Sequence, residues 1–235
     1  MKLRTHFVLQ LAALCLALGA TSFAADNAYL YLIHGIPGRN IADNVNPGFP
    51  VDVLVDGDCL TRGLAFDSTS GPLTFAPGTY DIQISEANSL AGCSNAPVIN
   101  SSVKIAAGDS ISVVAAISGG QPTLLTFADD LTPVTPGNAR FDFAQAADAP
   151  TLQATLTQVG VKNPQTFTLM VAPGKQQEVT VPAGTYLVQV LAGDIAVLTS
   201  QEISLPNQSA TFAYAVGQAA NSSVALATKT VRDVF

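Results

Sequence analysis

His34, the cysteine pair Cys59 and Cys93, and the acidic stretch "VDVLVDGD" at 51–58 are the parts of this sequence whose chemistry is worth testing first. In the acidic stretch, Val51, Val53 and Val55 fall on one side of a period-two pattern and Asp52, Leu54 and Asp56 on the other. Carboxylates at Asp52, Asp56 and Asp58, with Asp43 nearby in sequence, are the hard oxygen donors a Ca²⁺ ion takes, although their spacing is not that of an EF-hand loop. No other metal site is expected: a thiolate site lacks a C-x-x-C pair, and His34 has no second histidine beyond the leader described next. A Ser-His-Asp triad would have to use His34, and the sequence has no G-x-S-x-G elbow. His34 follows the alternating "YLYLI", so it sits at a strand end and reads as a structural hydrogen-bonder to a loop carbonyl or an Asp. Paired carboxylates for glycoside hydrolysis remain an alternative, but the chain has no Trp to stack on sugars. No catalytic residue and no cofactor is assigned.

The N-terminus explains why so few of these groups count. Lys2 and Arg4 precede an uncharged apolar run, Phe7 to Ala20, and Ser22-Phe23-Ala24 has small residues where a signal peptidase reads. A signal peptide of residues 1–24 is expected. Leu14 before Cys15 does not fit a lipoprotein site. Removing the leader leaves eight basic residues against 17 acidic ones, a net charge of −9. A chain this acidic, with no basic run, repels phosphate backbones and anionic membranes, so no nucleic-acid partner is expected. No later segment has the apolar length of a membrane helix. The destination is periplasmic, cell-surface or extracellular. An oxidising compartment joins Cys59 to Cys93.

The elements that carry these groups announce themselves by repetition. "APGTYDIQI" at 76–84 returns as "PAGTYLVQV" at 182–190. Tyr80, Ile82 and Ile84 alternate to one face, as do Tyr186, Val188 and Val190, and alternating residues also precede each Gly. The string predicts strand, Gly turn, strand: a β-hairpin in each copy. "NAYLYLIHG" from Asn27 matches "NARFDFAQA" from Asn138, and 103–118 matches 201–216. On that alignment Lys104 faces Glu202, and the first copy carries eight extra residues, which include Cys93. Strands are expected near 28–34, 50–56, 72–75, 79–85, 98–105, 109–117 and 122–128, then 139–145, 150–157, 164–171, 176–181, 185–191, 195–204, 208–216 and 221–228. No segment shows a sustained helical period. The fold class is all-β: two tandem Ig-like antiparallel β-sandwich domains, 25–128 and 138–235, joined by a Pro-rich linker at 129–137.

The strings also carry a resemblance. "HGIPG", "VDVLVDG" and "LAFDSTSGPLTFAPGTYDIQI" resemble the bacterial domain of unknown function numbered 4397, whose pattern runs through a His-Ala-Ser-Pro start, Val-Asp-Val-Tyr-Val-Asp-Gly, Leu-x-Phe and Pro-Ala-Gly-Thr-Tyr. His34, Val51-Asp52-Val53, Val55-Asp56-Gly57, Leu64-Ala65-Phe66 and Ala76 to Tyr80 occupy those positions. The first copy inserts 38–49. The second keeps Asp148-Ala149-Pro150 and Pro182 to Tyr186, and has Gln145 where His34 would align. The resemblance implies an exported Ig-like sandwich, often in tandem, and brings no catalytic residues.

The functional expectation is a non-catalytic module that binds or scaffolds outside the cell. Rigid β-frameworks put recognition in loops. The candidates are the loops peculiar to the first copy: Arg39, Asn40, Asp43, Asn44 and Asn46 in the insertion, and Asn88 and Asn95 in the cysteine-tied segment 86–97. The partner is an extracellular polysaccharide, a surface protein, or another copy of the chain. A secreted carbohydrate-active hydrolase and a self-assembling matrix protein are the alternatives.

Overall fold

The structure, a computed structural model, describes residues 26–38 and 49–232. Among them are sixteen strands and no α-helix. The first eight are β1 (Ala28–His34), β2 (Val51–Val55), β3 (Asp58–Leu64), β4 (Thr69–Phe75), β5 (Gly78–Glu86), β6 (Pro97–Ile105), β7 (Ser110–Ser118) and β8 (Gln121–Ala128). The second eight are β9 (Asn138–Gln145), β10 (Leu152–Gln158), β11 (Thr166–Val171), β12 (Gln176–Pro182), β13 (Gly184–Ala192), β14 (Ile195–Leu205), β15 (Ala210–Val216) and β16 (Ala225–Val231). They form four sheets, ordered β4-β1-β7-β8, β3-β2-β5-β6, β12-β9-β15-β16 and β11-β10-β13-β14. The second pair repeats the first strand for strand, including the parallel pairing of β1 with β7 and of β9 with β15. The internal repeat is therefore a repeat of topology: two β-sandwiches. No described helix is long and apolar enough to cross a membrane.

Alternation builds each core. Val51, Val53 and Val55 face Leu30, Leu32 and Val113 across the first sandwich, and Phe141, Phe143 and Val188 fill the second. Asp56 and Gly57 both have positive φ (50° and 86°) between the paired Val55 and Asp58, so Asp-Gly makes a two-residue hairpin turn here. Strand β3 was not anticipated. Its sequence, DCLTRGL, lacks a clean apolar face, because it is a half-exposed edge.

The repeated nine-residue string is not a hairpin. β4 pairs with β1, while β5 pairs with β2 and β6, so the chain crosses from one sheet to the other at Ala76-Pro77; β12 and β13 do the same. Neither Gly78 nor Gly184 has positive φ. The tyrosine explains the string. Tyr80 donates its hydroxyl to the Ala76 carbonyl at 2.8 Å, and Tyr186 donates to Pro182 at 2.7 Å. Each ring folds back over the glycine two residues before it, where a Cβ at Gly78 would stand 3.3 Å from the Tyr80 ring. This is a tyrosine corner, the device that fixes a sheet-crossing turn in Ig-like sandwiches.

Strand pairing also corrects the alignment downstream. Thr79 pairs with Lys104 and Thr185 with Ser204, so Lys104 corresponds to Ser204 rather than Glu202. The extra length of the first copy there is six residues, not eight. A slip of two residues leaves every side chain on its own face, so alternation cannot detect it.

The two sandwiches pack on each other. Ile33, Val114, Ala116 and Phe127 of the first meet Ala144, Phe212, Tyr214 and Val216 of the second in a third apolar cluster. Sheets β4-β1-β7-β8 and β12-β9-β15-β16 are thus covered on both faces. Val113, Ala115 and Ile117 enter the first core while Val114 and Ala116 enter the shared one. Segment 129–137, read as a spacer, contributes Val134 to the same cluster. Gly35 lies at this seam: a Cβ there would stand 2.7 Å from the Ala115 carbonyl oxygen and 2.9 Å from Val216.

Candidate functional site

Residues 87–96 connect β5 to β6 in the first copy; β13 and β14 need only Gly193-Asp194. The added chain folds back over the outer face of sheet β3-β2-β5-β6 and is held there at two points. Cys93 is bonded to Cys59 of β3, with an S–S distance of 2.04 Å and 5.8 Å between Cα atoms, as the cysteine count required. Asp52 is the second point. Its Oδ1 accepts the Gly63 N–H at 2.9 Å, and its Oδ2 accepts the N–H groups of Cys93 at 2.6 Å and Asn88 at 3.2 Å. Burial, the largest single influence, raises its pKa. The three backbone donors and the charge of Arg62 together outweigh burial and hold the carboxyl below its ordinary value.

Between loop and sheet lies a cleft of about 360 Å³. Asp52, Arg62, Gly63, Asn88 and Leu90 are among the residues that line it, Asp52 buried and Arg62 and Leu90 exposed. Leu90 is 96 % exposed, the most exposed large apolar side chain among the described residues. Arg62 is also exposed and reaches 3.3 Å from the Cys59 sulfur. The lining has no aromatic ring.

Asn88 and Asn95 act as internal staples. Asn88 Nδ2 donates to Ser94 and Asn95, its Oδ1 accepts from Leu90 and Ala91 N–H, and Asn95 Nδ2 donates to the Glu86 carbonyl. Their amides are committed within the loop; the exposed side chains beside them are Arg62 and Leu90, which composition did not single out. The remaining loop candidates, Arg39, Asn40, Asp43, Asn44 and Asn46, lie outside the described residues, as does the leader segment 1–24. The calcium set is not assembled. Asp52 is filled by backbone donors, Asp56 turns to the Asp81 N–H at 2.8 Å, and among the described residues no three His, Cys, Asp or Glu are placed to hold a metal.

His34 is fully buried. Its Nε2 meets the Phe49 carbonyl at 2.7 Å and its Nδ1 accepts from the Ile36 N–H at 3.4 Å, which fixes the neutral Nε2–H tautomer. Burial lowers its pKa to about 4 against a smaller upward pull from the Phe49 bond. Gln145 does the same work in the second copy, donating to the Pro150 carbonyl at 3.0 Å. Phe49 and Pro150 each stand two residues before the strand that follows, β2 and β10. The histidine is structural.

A second polar cluster, not anticipated from sequence, lies where the two sandwiches meet. Asp129, Ser110 and Ser112 of the first half meet Tyr214 and Lys229 of the second. Close by, Asp142 is raised to about 7, by burial first and then by the charges of Glu178 and Asp129.

A family model described as "Domain of unknown function (DUF4397)" matches residues 28–155, the whole first sandwich and the second as far as β10. Among solved structures, the chain is similar to "The Bacillus anthracis TIE protein" at 8% identity with a TM-score of 0.26, over 82% of this chain and 33% of that one. The chain thus spans about a third of that structure's length. A search of curated proteins gave no match.

Proposed function

The chain belongs to the DUF4397 family, and on that premise we propose that it is an exported, non-catalytic binding protein that takes its extracellular partner at the cleft beside the disulfide-tied loop. The observation carrying this reading is that loop: ten residues where its counterpart has two, pinned by a disulfide and a buried carboxylate, yet presenting an almost fully exposed leucine beside an exposed arginine. A rigid loop loses little entropy on binding, and an apolar anchor next to a cation suits recognition. Sugars stack on aromatic rings, and the cleft has none, so a surface-protein segment bearing an apolar and an acidic residue fits better than a polysaccharide. The hydrolase alternative draws no support from Asp52, whose oxygens are bonded to backbone and whose lowered pKa suits neither a general acid nor a base near neutral pH.

Thermal unfolding against acidic-apolar peptides and exterior polysaccharides tests the reading. A saturable rise in midpoint is expected with peptides, equivalent to about 2.7 kcal/mol at a hundredfold excess over Kd. Leu90→Ser is expected to abolish the rise without moving the unliganded midpoint, and Arg62→Ser to abolish it with a small drop in that midpoint, because its charge also supports the Asp52 carboxylate. A rise that survives both substitutions would overturn the site. Self-assembly is favoured by one observation of its own: β14 is an unpaired edge of 11 residues whose Ile195 is 71 % exposed. Concentration-dependent size exclusion lost in Ile195→Lys would move the reading there.

A further inference from the structure

We propose that Lys229 and Asp129 condense in the folded protein, forming an amide between Nζ and Cγ that joins the last strand of the second sandwich to the end of the first. Their side chains touch: Nζ lies 2.5 Å from Oδ2, and their exposures are 7% and 0%. The pair is 100 residues apart in sequence, so only the packed interface brings it together.

The surroundings are those an acyl transfer needs. The Tyr31 ring covers Nζ at 3.3 Å to its centroid and Phe212 at 4.7 Å, which keeps water from the amine. On the carboxyl, Oδ1 accepts the Ser112 hydroxyl at 2.8 Å; the Tyr214 hydroxyl donates to Ser112 Oγ at 2.6 Å and lies 3.1 Å from Oδ1. Oδ2 accepts the Ser110 hydroxyl at 3.1 Å. Burial pushes Tyr214 well above its ordinary pKa, so its hydroxyl stays a donor. The Ser112 hydroxyl, polarised by the Tyr214 hydroxyl behind it, forms an oxyanion hole at Oδ1 for a tetrahedral carbon at Cγ. Burial also lowers Lys229 to about 8, although Asp129 and Asp142 pull it upward, so the neutral amine is within reach.

The step balances without a co-reactant. Lys229 passes a proton to Asp129 Oδ2, leaving a neutral amine and a neutral acid. The nitrogen lone pair attacks Cγ, and the electron pair of the C=O moves to Oδ1, facing Ser112 and Tyr214. A second proton passes from nitrogen to Oδ2, the Cγ–Oδ2 bond breaks, and water leaves as the carbonyl re-forms at Oδ1. An ammonium and a carboxylate become an amide and one water. Two buried charges, whose desolvation is unfavourable, are replaced by one neutral group that keeps its hydroxyl donors.

Mass spectrometry of the full-length purified chain decides this. The intact reduced protein is expected to be one water lighter than the sequence from its observed N-terminus. A tryptic digest is expected to contain residues 105–140 joined to 176–232. Lys229→Arg keeps the charge but is expected to restore the full mass and separate the peptides. Wild-type protein at full mass, or one water lighter with the two peptides separate, overturns the proposal, and neither result depends on whether the variant folds.

Discussion

Replacing Asp52 by Asn changes one atom and tests what holds the candidate site. The carboxylate accepts three backbone N–H groups, one on Oδ1 and two on Oδ2. An amide has one acceptor oxygen. In its better orientation it keeps Asn88 and Cys93 and turns its NH₂ toward the Gly63 N–H. The loss is one charge-assisted hydrogen bond, about 1.5–3 kcal/mol, and the two survivors fall to roughly half their strength. The expected cost is about 3 kcal/mol. For a chain of this size that lowers the thermal midpoint by roughly 6–12 °C. The assay is urea and thermal unfolding of oxidised protein at neutral pH.

The pH dependence of that difference carries the stronger test. The folded pKa of Asp52 lies below its ordinary value of 3.8, so its contribution is complete above that value and is lost as pH falls through the folded one. The gap between wild type and Asp52→Asn is therefore flat near neutrality and closes in acid. Reduction of Cys59–Cys93 should shrink the gap, because a detached loop gives its N–H groups to water. A cost below about 0.5 kcal/mol, the level of an ordinary surface substitution, would refute the reasoning. So would a gap that persists unchanged into strong acid.

Two further outcomes follow from the repeated positions. His34 has a folded pKa of about 4 against 6.5 unfolded, so it contributes stability above pH 6.5 that is lost by about 3 kcal/mol as pH falls toward 4; His34→Gln, which installs the residue of the second copy, should flatten the unfolding curve across that window. Tyr186→Phe leaves a carbonyl without its donor at a fully buried ring and should cost about 1–3 kcal/mol, whereas Tyr80→Phe, at a half-buried ring over an exposed carbonyl, should cost less than 1 kcal/mol; equal losses by urea titration would count against the corner as described.

What the sequence revealed and what it hid divide along physical lines. Alternation together with turn signals located fifteen of the sixteen strands, because most strands have one face on a core and end at turn residues. It missed β3, whose edge position removes that contrast. It could not say whether β4 and β5 share a sheet, since alternation is identical for a hairpin and a sheet-crossing corner. The tyrosine four residues after Ala76 and Pro182 was the available signal. The interface between the sandwiches was written as runs without alternation, Val113 to Ile117 and Phe212 to Val216, the pattern of strands covered on both faces.

Asp52 shows why the candidate site was harder to read than the fold. A strand residue opposite Val51, Val53 and Val55 should face water, and three neighbouring aspartates invite a cation. What compensates the carboxylate is the chain itself, through N–H groups from Gly63, Asn88 and Cys93, 11 to 41 residues away. Backbone donors have no residue type, so nothing in the letters marks them. The same holds for Lys229 and Asp129, which look like ordinary surface charges until two sheets close on them. Side chains that face their own core are legible from periodicity. Those whose surroundings are made by a loop folding back, or by a second sandwich, become readable only once the topology is known.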